Sequence, residues 1–83
     1  MAVNKRKVNM NTKQDIIELV GRVIKTTVDE SSAMGTVPEW DSIHNIMILN
    51  EVQQHFGIVI PDDDVFDLVS IKDIVSEVEK LKS

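Results

Sequence analysis

Apolar residues recur at helical spacing in three separate stretches of this chain, and this periodicity constrains the fold more than any other feature. The stretches run from about residue 13 to 28, from Asp41 or Ser42 to about His55, and from about residue 71 to 81. Spacings of three and four residues place apolar side chains on one side of a helix. We therefore expect three amphipathic helices that bury these sides against one another.

The segments between the periodic stretches predict the rest of the architecture. The sequence "DESSAMGTVPEW" is rich in Ser, Gly and Pro, which indicates a long loop after the first helix. Gly57 is placed to end the second helix, and a short helix from Pro61 or Asp62 to Leu68 should precede the last one. The prediction is an all-α fold: a small four-helix bundle with a long loop between the first two helices and a short third helix.

The length of 83 residues fits one small domain with a modest core. Residues 1–11 include Lys5, Arg6 and Lys7 but no helical periodicity, so we expect a flexible basic tail followed by one domain over residues 12–83. The chain has no cysteine, no secretory signal and no stretch long enough for a membrane span. These features predict a cytoplasmic monomer without stable membrane insertion.

The charges are distributed unevenly along the chain. No Lys or Arg lies between Lys25 and Lys72, and the net charge is -5. The acids of that interval are Asp29, Glu30, Glu39, Asp41, Glu51, Asp62, Asp63, Asp64 and Asp67. Such a surface repels nucleic acid and attracts a protein with a basic patch, although acids also serve solubility alone. We expect a docking role and no binding of nucleic acid.

Neither catalysis nor metal binding is indicated by the polar residues. Asp41, Ser42 and His44 are adjacent in sequence, but residues two apart on a helix, such as Ser42 and His44, point to different sides, so they do not form a nucleophile–base pair. The acidic run that begins at Asp62 lacks the glycine and the closing glutamate of a calcium-binding loop. We therefore expect no enzyme activity and no metal site.

Two stripes of residues follow the second predicted helix, although an amphipathic helix needs only one for the core. The first stripe consists of Asn45, Ile48, Leu49, Val52 and Phe56, and the second of Ile43, Ile46, Met47 and Asn50. We expect the first stripe to be buried. The second, which begins beside Ser42, either deepens the core or lies exposed for binding.

The segment "WDSIHNIMILNEVQQHFGIVIPDDDVFDLVSIKDI" resembles the acyl carrier protein family over nearly its whole length. The family has an Asp-Ser-Leu signature at the start of its second helix, then a Phe, alternating apolar residues, a Pro or acidic cluster, and a small hydroxyl residue with an aliphatic that open the last helix. The matching residues here are Asp41, Ser42 and Ile43, then Phe56, Ile58 and Ile60, then Pro61 to Asp64, and finally Ser70 and Ile71. The expected four-helix plan agrees with this resemblance.

The resemblance implies a cofactor and a function. In this family the serine accepts 4′-phosphopantetheine from coenzyme A, through a holo-carrier-protein synthase, also called a phosphopantetheinyl transferase. The thiol of this arm carries acyl intermediates between enzymes, and the carrier catalyses nothing itself. The attachment role then falls to Ser42, helix capping and transferase recognition to Asp41, and the carrier domain to residues 12–83. The expected contacts for acyl-loading and acyl-processing enzymes with basic docking patches are Ile43, Ile46, Met47, Asp62, Asp63 and Asp64.

The chain departs from typical fatty-acid carriers in its second helix, which is strongly acidic in those proteins. Here His44 and Met47 occupy positions just after the serine, and Glu51 is the only acid of the helix after Asp41. The resemblance therefore leaves the pathway open between fatty-acid synthesis and a specialised lipid, polyketide, peptide or cell-surface polymer pathway. The alternative from another class is an unmodified acidic helical module for protein interaction.

Overall fold

The structure, a computed structural model, describes residues 12–82. It contains the helices α1 (Thr12–Ile24), α2 (Ser42–Phe56), α3 (Asp62–Val65) and α4 (Ile71–Lys82). Within this range the only β-type pairing consists of isolated bridges, so the predicted all-α bundle with a long first loop and a short third helix is confirmed. The expected basic tail at residues 1–11 lies outside the described residues.

Helix α1 ends at Ile24, four residues earlier than its spacing predicted. Lys25 adopts a left-handed conformation with φ of 59°, and the Thr26 N–H donates to the Gly21 carbonyl at 3.1 Å, which closes the helix. A Cβ atom at Gly21 would lie 3.0 Å from the Thr26 carbonyl oxygen, so glycine permits this close turn. Val28 is buried as expected, but it reaches the core from the loop.

Helix α3 is also shorter than the predicted span to Leu68. The N–H groups of Asp67 and Leu68 bond to carbonyls three residues back, at 3.0 and 3.4 Å, so the chain tightens into single turns after Val65. The Leu68 carbonyl then accepts a hydrogen bond from Asn45 Nδ2 of α2 at 3.1 Å. This contact with another helix takes the place of a further helical turn.

The core is aliphatic apart from one tryptophan, and α1 packs against both α2 and α4 to form it. Its buried side chains are Ile16, Leu19, Val20 and Ile24 of α1, Ile48, Leu49 and Val52 of α2, Ile71, Ile74 and Val78 of α4, and Val28, Trp40, Ile60 and Leu68 of the connections. Phe56 packs at the edge of this cluster. The first stripe of α2 is therefore buried as predicted at four of its five positions, and Phe56 is half-buried.

The long first loop is held against the start of α4. The Met34 N–H donates to the Val69 carbonyl at 2.8 Å, and the Ile71 N–H donates to the Ser32 carbonyl at 3.1 Å. At the end of the loop, the indole of Trp40 is buried in the core. The backbone that leads into α2 is therefore fixed both by hydrogen bonds and by packing.

Candidate functional site

Ser42 is the first residue of α2, and its side chain is exposed to solvent. Asp41 precedes it in an extended conformation, and its carboxylate accepts the His44 backbone N–H at 2.9 Å. This is the geometry of a helix N-cap, so the capping role predicted for Asp41 is confirmed. The hydroxyl of Ser42 thus lies at a loop–helix junction that another protein can reach.

The N-terminus of α2 presents two backbone donors beside that hydroxyl. The first hydrogen bond of the helix runs from the Asn45 N–H to the Asp41 carbonyl at 2.8 Å. The N–H groups of Ser42 and Ile43 precede it, and within residues 12–82 neither has an acceptor. Free donors and the positive end of the helix dipole together favour a negatively charged group, such as a phosphodiester, at this position.

The Asp41 carboxylate is engaged by His44 through two hydrogen bonds. Hydrogen bonds from the His44 backbone N–H and then from its side chain, whose Nδ1 lies 2.8 Å from the same Oδ1, hold the pKa of Asp41 below its usual range. Asp41 is therefore an anion at neutral pH. His55, at the other end of α2, lies 3.7 Å from Asp15 Oδ2 instead.

A buried hydrogen-bonded bridge fixes the residues around Ser42. Trp40 Nε1 donates to Asn45 Oδ1 at 2.8 Å, and Asn45 Nδ2 donates to the Leu68 carbonyl at 3.1 Å. All three residues are buried. The bridge joins the end of the first loop, the first turn of α2 and the segment after α3. The sequence signalled it only through a polar residue, Asn45, on an otherwise apolar stripe.

The second stripe of α2 is exposed. Ile43, Ile46 and Met47 are 70, 55 and 47 % exposed, and Asn50 is exposed as well. The alternative that these residues deepen the core is therefore wrong, and the expectation of an exposed apolar surface beside Ser42 is confirmed. Phe66, which no pattern of the sequence predicted as a surface residue, is also exposed; its only signal is an aromatic flanked by acids in "DDDVFDL".

A shallow depression of about 80 Å³ connects Ser42 with the segment around α3. Its lining consists of Met34, Ser42, Asn45, Ile46, Val65, Phe66 and Val69. Two larger depressions, of about 530 and 290 Å³, lie along α1 and between α1 and α4, and their linings include no residue of α2. The serine hydroxyl therefore borders a small, largely apolar recess and no deep cavity.

The acidic run predicted to contact partners forms α3 itself. Asp62 and Asp63 are exposed, Asp64 is half-buried, and the following Asp67 is exposed. Among residues 12–82, no three His, Asp or Glu side chains are grouped so as to hold a metal ion. The helices of this same part of the chain also include none that is long and apolar enough to cross a membrane.

A comparison with known families matches part of this chain. Residues 39–78 match the family described as "Phosphopantetheine attachment site", and no curated protein matches the chain. The matched segment runs from just before Trp40 through most of α4 and therefore includes the exposed serine, α2 and α3. These residues belong to the phosphopantetheine attachment family, and the resemblance to acyl carrier proteins is confirmed.

Residues 39–78 thus match a class of domain that carries a covalently attached 4′-phosphopantetheine arm. Domains of this family are not catalytic themselves. They work together with a phosphopantetheinyl transferase and with acyl-processing enzymes.

Proposed function

We propose that Ser42 bears the 4′-phosphopantetheine arm and that the chain carries acyl intermediates as thioesters between enzymes. The matched segment contains three hydroxyl side chains, those of Ser42, Ser70 and Ser76. Ser70 Oγ accepts the Asp73 N–H at 3.0 Å and caps α4, and Ser76 lies in the middle of that helix. Only Ser42 combines an exposed hydroxyl with free donors of a helix N-terminus. This combination is the observation that carries the proposal.

The local structure fits both parts of the arm. The N–H groups of Ser42 and Ile43 are placed to donate hydrogen bonds to a phosphodiester, because they have no acceptor within the described fold. The arm supplies a thiol that bears the acyl group. During attachment, Ser42 Oγ forms the new bond to phosphorus of coenzyme A, the adenosine 3′,5′-bisphosphate leaves, and the hydroxyl proton passes to a base of the transferase.

The carrier domain in this proposal spans residues 12–83, which is longer than the family match. Helix α1 lies before the matched segment, yet its side chains Ile16, Leu19 and Val20 are among the most buried of the core. A chain cut at residue 39 would expose that core. The folding unit must therefore include α1, and we expect this unit to act as a monomer in the cytoplasm.

The surface around Ser42 supports a role in docking. The exposed Ile43, Ile46 and Met47 offer apolar contact, and the acids of α3, Asp62 to Asp64, offer negative charge for a partner with a basic patch. Because this stripe of α2 is apolar rather than acidic, a specialised lipid, polyketide or peptide pathway fits it at least as well as fatty-acid synthesis.

One measurement distinguishes the proposed carrier function from the alternative, an unmodified interaction module. The protein is co-expressed with a broad-specificity phosphopantetheinyl transferase, and its intact mass is determined. Wild type should gain one arm, Ser42→Ala none, and the matched control Ser76→Ala one arm as in wild type. Wild type without an arm would favour the interaction module, whereas Ser42→Ala with an arm would refute the assignment of Ser42.

A further inference from the structure

Phe66 stands apart from the other aromatic side chains of this protein. The sequence contains one Trp and two Phe; Trp40 is buried, Phe56 is half-buried, and Phe66 is 85 % exposed. A phenylalanine in water forgoes the burial free energy that such a side chain ordinarily contributes to folding. The fold does not need Phe66, since its neighbours Val65 and Leu68 make the contacts of this segment with the core.

The exposed apolar side chains are concentrated around Ser42. Phe66, Ser42 and Ile46 line the same shallow depression, and Ile43 follows the serine on α2. Met47 lies on the same stripe of α2. Val59, which is 80 % exposed beyond the far end of α2, is the one further large apolar residue that the described part of the chain leaves in water. A protein that reaches the Ser42 hydroxyl therefore meets Phe66 across the depression.

The charges around this patch define the chemistry of its partner. Asp62, Asp63 and Asp67 are exposed on the segment that carries Phe66, and Asp41 is exposed beside Ser42. No Lys or Arg occurs between residues 25 and 72. An apolar side chain within such a negative rim is complementary to an apolar recess edged by Lys or Arg.

We propose that Phe66 is the apolar anchor through which the phosphopantetheinyl transferase docks at Ser42. Its ring enters a recess of the transferase, and the surrounding acids guide the approach through basic residues of that enzyme. The transferase contacts α2 through Ile43 and the α3 segment through Phe66, so its active site lies over the hydroxyl between them. Buried aromatic side chains at the centre of an interface commonly dominate its affinity. This inference rests on the proposed attachment at Ser42.

Kinetics of arm transfer test the proposal, with a broad-specificity phosphopantetheinyl transferase and coenzyme A as the probe. We expect Phe66→Ala to raise KM for the carrier at least about tenfold, as loss of an interface anchor does. The value of kcat should stay within about twofold, because the reacting groups are unchanged. Phe66→Leu, which keeps an apolar side chain, should be intermediate. Val59→Ala, the matched control, should behave as wild type.

The dependence of KM on ionic strength distinguishes the apolar contribution of Phe66 from the electrostatic contribution of the surrounding acids. The ratio of KM between Phe66→Ala and wild type should be the same at low and high salt, because the lost contact is apolar. The ratio for the double variant Asp62→Asn/Asp63→Asn should shrink as salt screens the charges. Circular dichroism and thermal melting of Phe66→Ala should match wild type, since the ring is exposed.

Three results would overturn the inference. A KM for Phe66→Ala equal to that of Val59→Ala, with wild type still modified at Ser42, would reject the anchor and leave the proposed function intact. A loss confined to kcat, with KM unchanged, would show that Phe66 orients the serine in the transition state and is not a binding anchor. A wild-type protein that accepts no arm would remove the proposed function and the anchor together.

Discussion

Replacing Asn45 by Leu tests whether the buried bridge beside Ser42 holds the fold together. The two side chains are similar in size, so the change removes hydrogen bonds while it leaves little empty space. Asn45 accepts from Trp40 Nε1 at 2.8 Å and donates to the Leu68 carbonyl at 3.1 Å. In the variant both partners lose this contact inside the bundle, where Trp40 and Leu68 are buried.

The expected loss of stability comes from the Trp40 Nε1–H and the Leu68 carbonyl, which are left without hydrogen-bond partners. Each buried donor or acceptor without a partner costs about 1–3 kcal/mol, so the pair costs about 2–6 kcal/mol. The added apolar surface of Leu offsets about 1 kcal/mol of this. We therefore expect the free energy of unfolding to fall by about 1–5 kcal/mol, in a domain whose total is about 4–12 kcal/mol.

Urea unfolding followed by far-ultraviolet circular dichroism measures this change, and fluorescence of Trp40, the single tryptophan, reports the local environment. The matched control is Asn50→Leu, at an exposed position of the same helix, which should change stability by no more than about 0.5 kcal/mol. A double-mutant cycle with Trp40→Phe should give a coupling of about 1 kcal/mol for the indole hydrogen bond. Equal stability of the Asn45 and Asn50 variants would refute the bridge.

The exposed stripe, the helix cap and the end of α1 each give one further prediction. Met47→Glu should change the free energy of unfolding in urea by no more than about 0.5 kcal/mol, and a variant that unfolds would contradict the exposed position of Met47. Because the His44 N–H lowers the pKa of Asp41, the stability from this contact is complete above the ordinary carboxyl pKa and is lost as pH falls through the folded pKa. Acid unfolding of Asp41→Asn should therefore be less steep than that of wild type below about pH 4. Lys25→Gly should raise stability by about 0.5–1 kcal/mol in thermal melting, since Lys25 has a φ of 59°.

The three longer helices were predictable because apolar periodicity is a local property of the sequence. Helix ends depend on contacts with distant residues, and two of them were predicted wrongly. The spacing extended α1 to residue 28 because Val28 is apolar and buried, but a left-handed Lys25 brings that side chain to the core from a loop. The end of α3 is set partly by the Leu68 carbonyl, whose donor, Asn45, lies 23 residues earlier in the chain.

The residues of the candidate site also fall into two groups, those that a local sequence signal predicted and those that depend on distant contacts. Asp41 and Ser42 were found because an N-cap followed by a helix is a local signal, and the resemblance to a family gave that signal a chemical meaning. The bridge through Asn45 and the exposure of Phe66 were not found, because each depends on how the segment after α3 meets α2. An apolar residue in a short segment carries no periodicity that distinguishes the core from the surface.

The exposed stripe of α2 and the short length of α3 have one structural cause. Helix α2 buries one stripe against α1, and a third helix of ordinary length would cover the other. Helix α3 comprises only Asp62–Val65, about one turn, and the chain then turns back so that Leu68 enters the core. The uncovered part of α2 is the part that starts at Ser42. Because α3 is short, Ser42 lies within an open apolar surface of the bundle. No deep cavity is needed to present its hydroxyl.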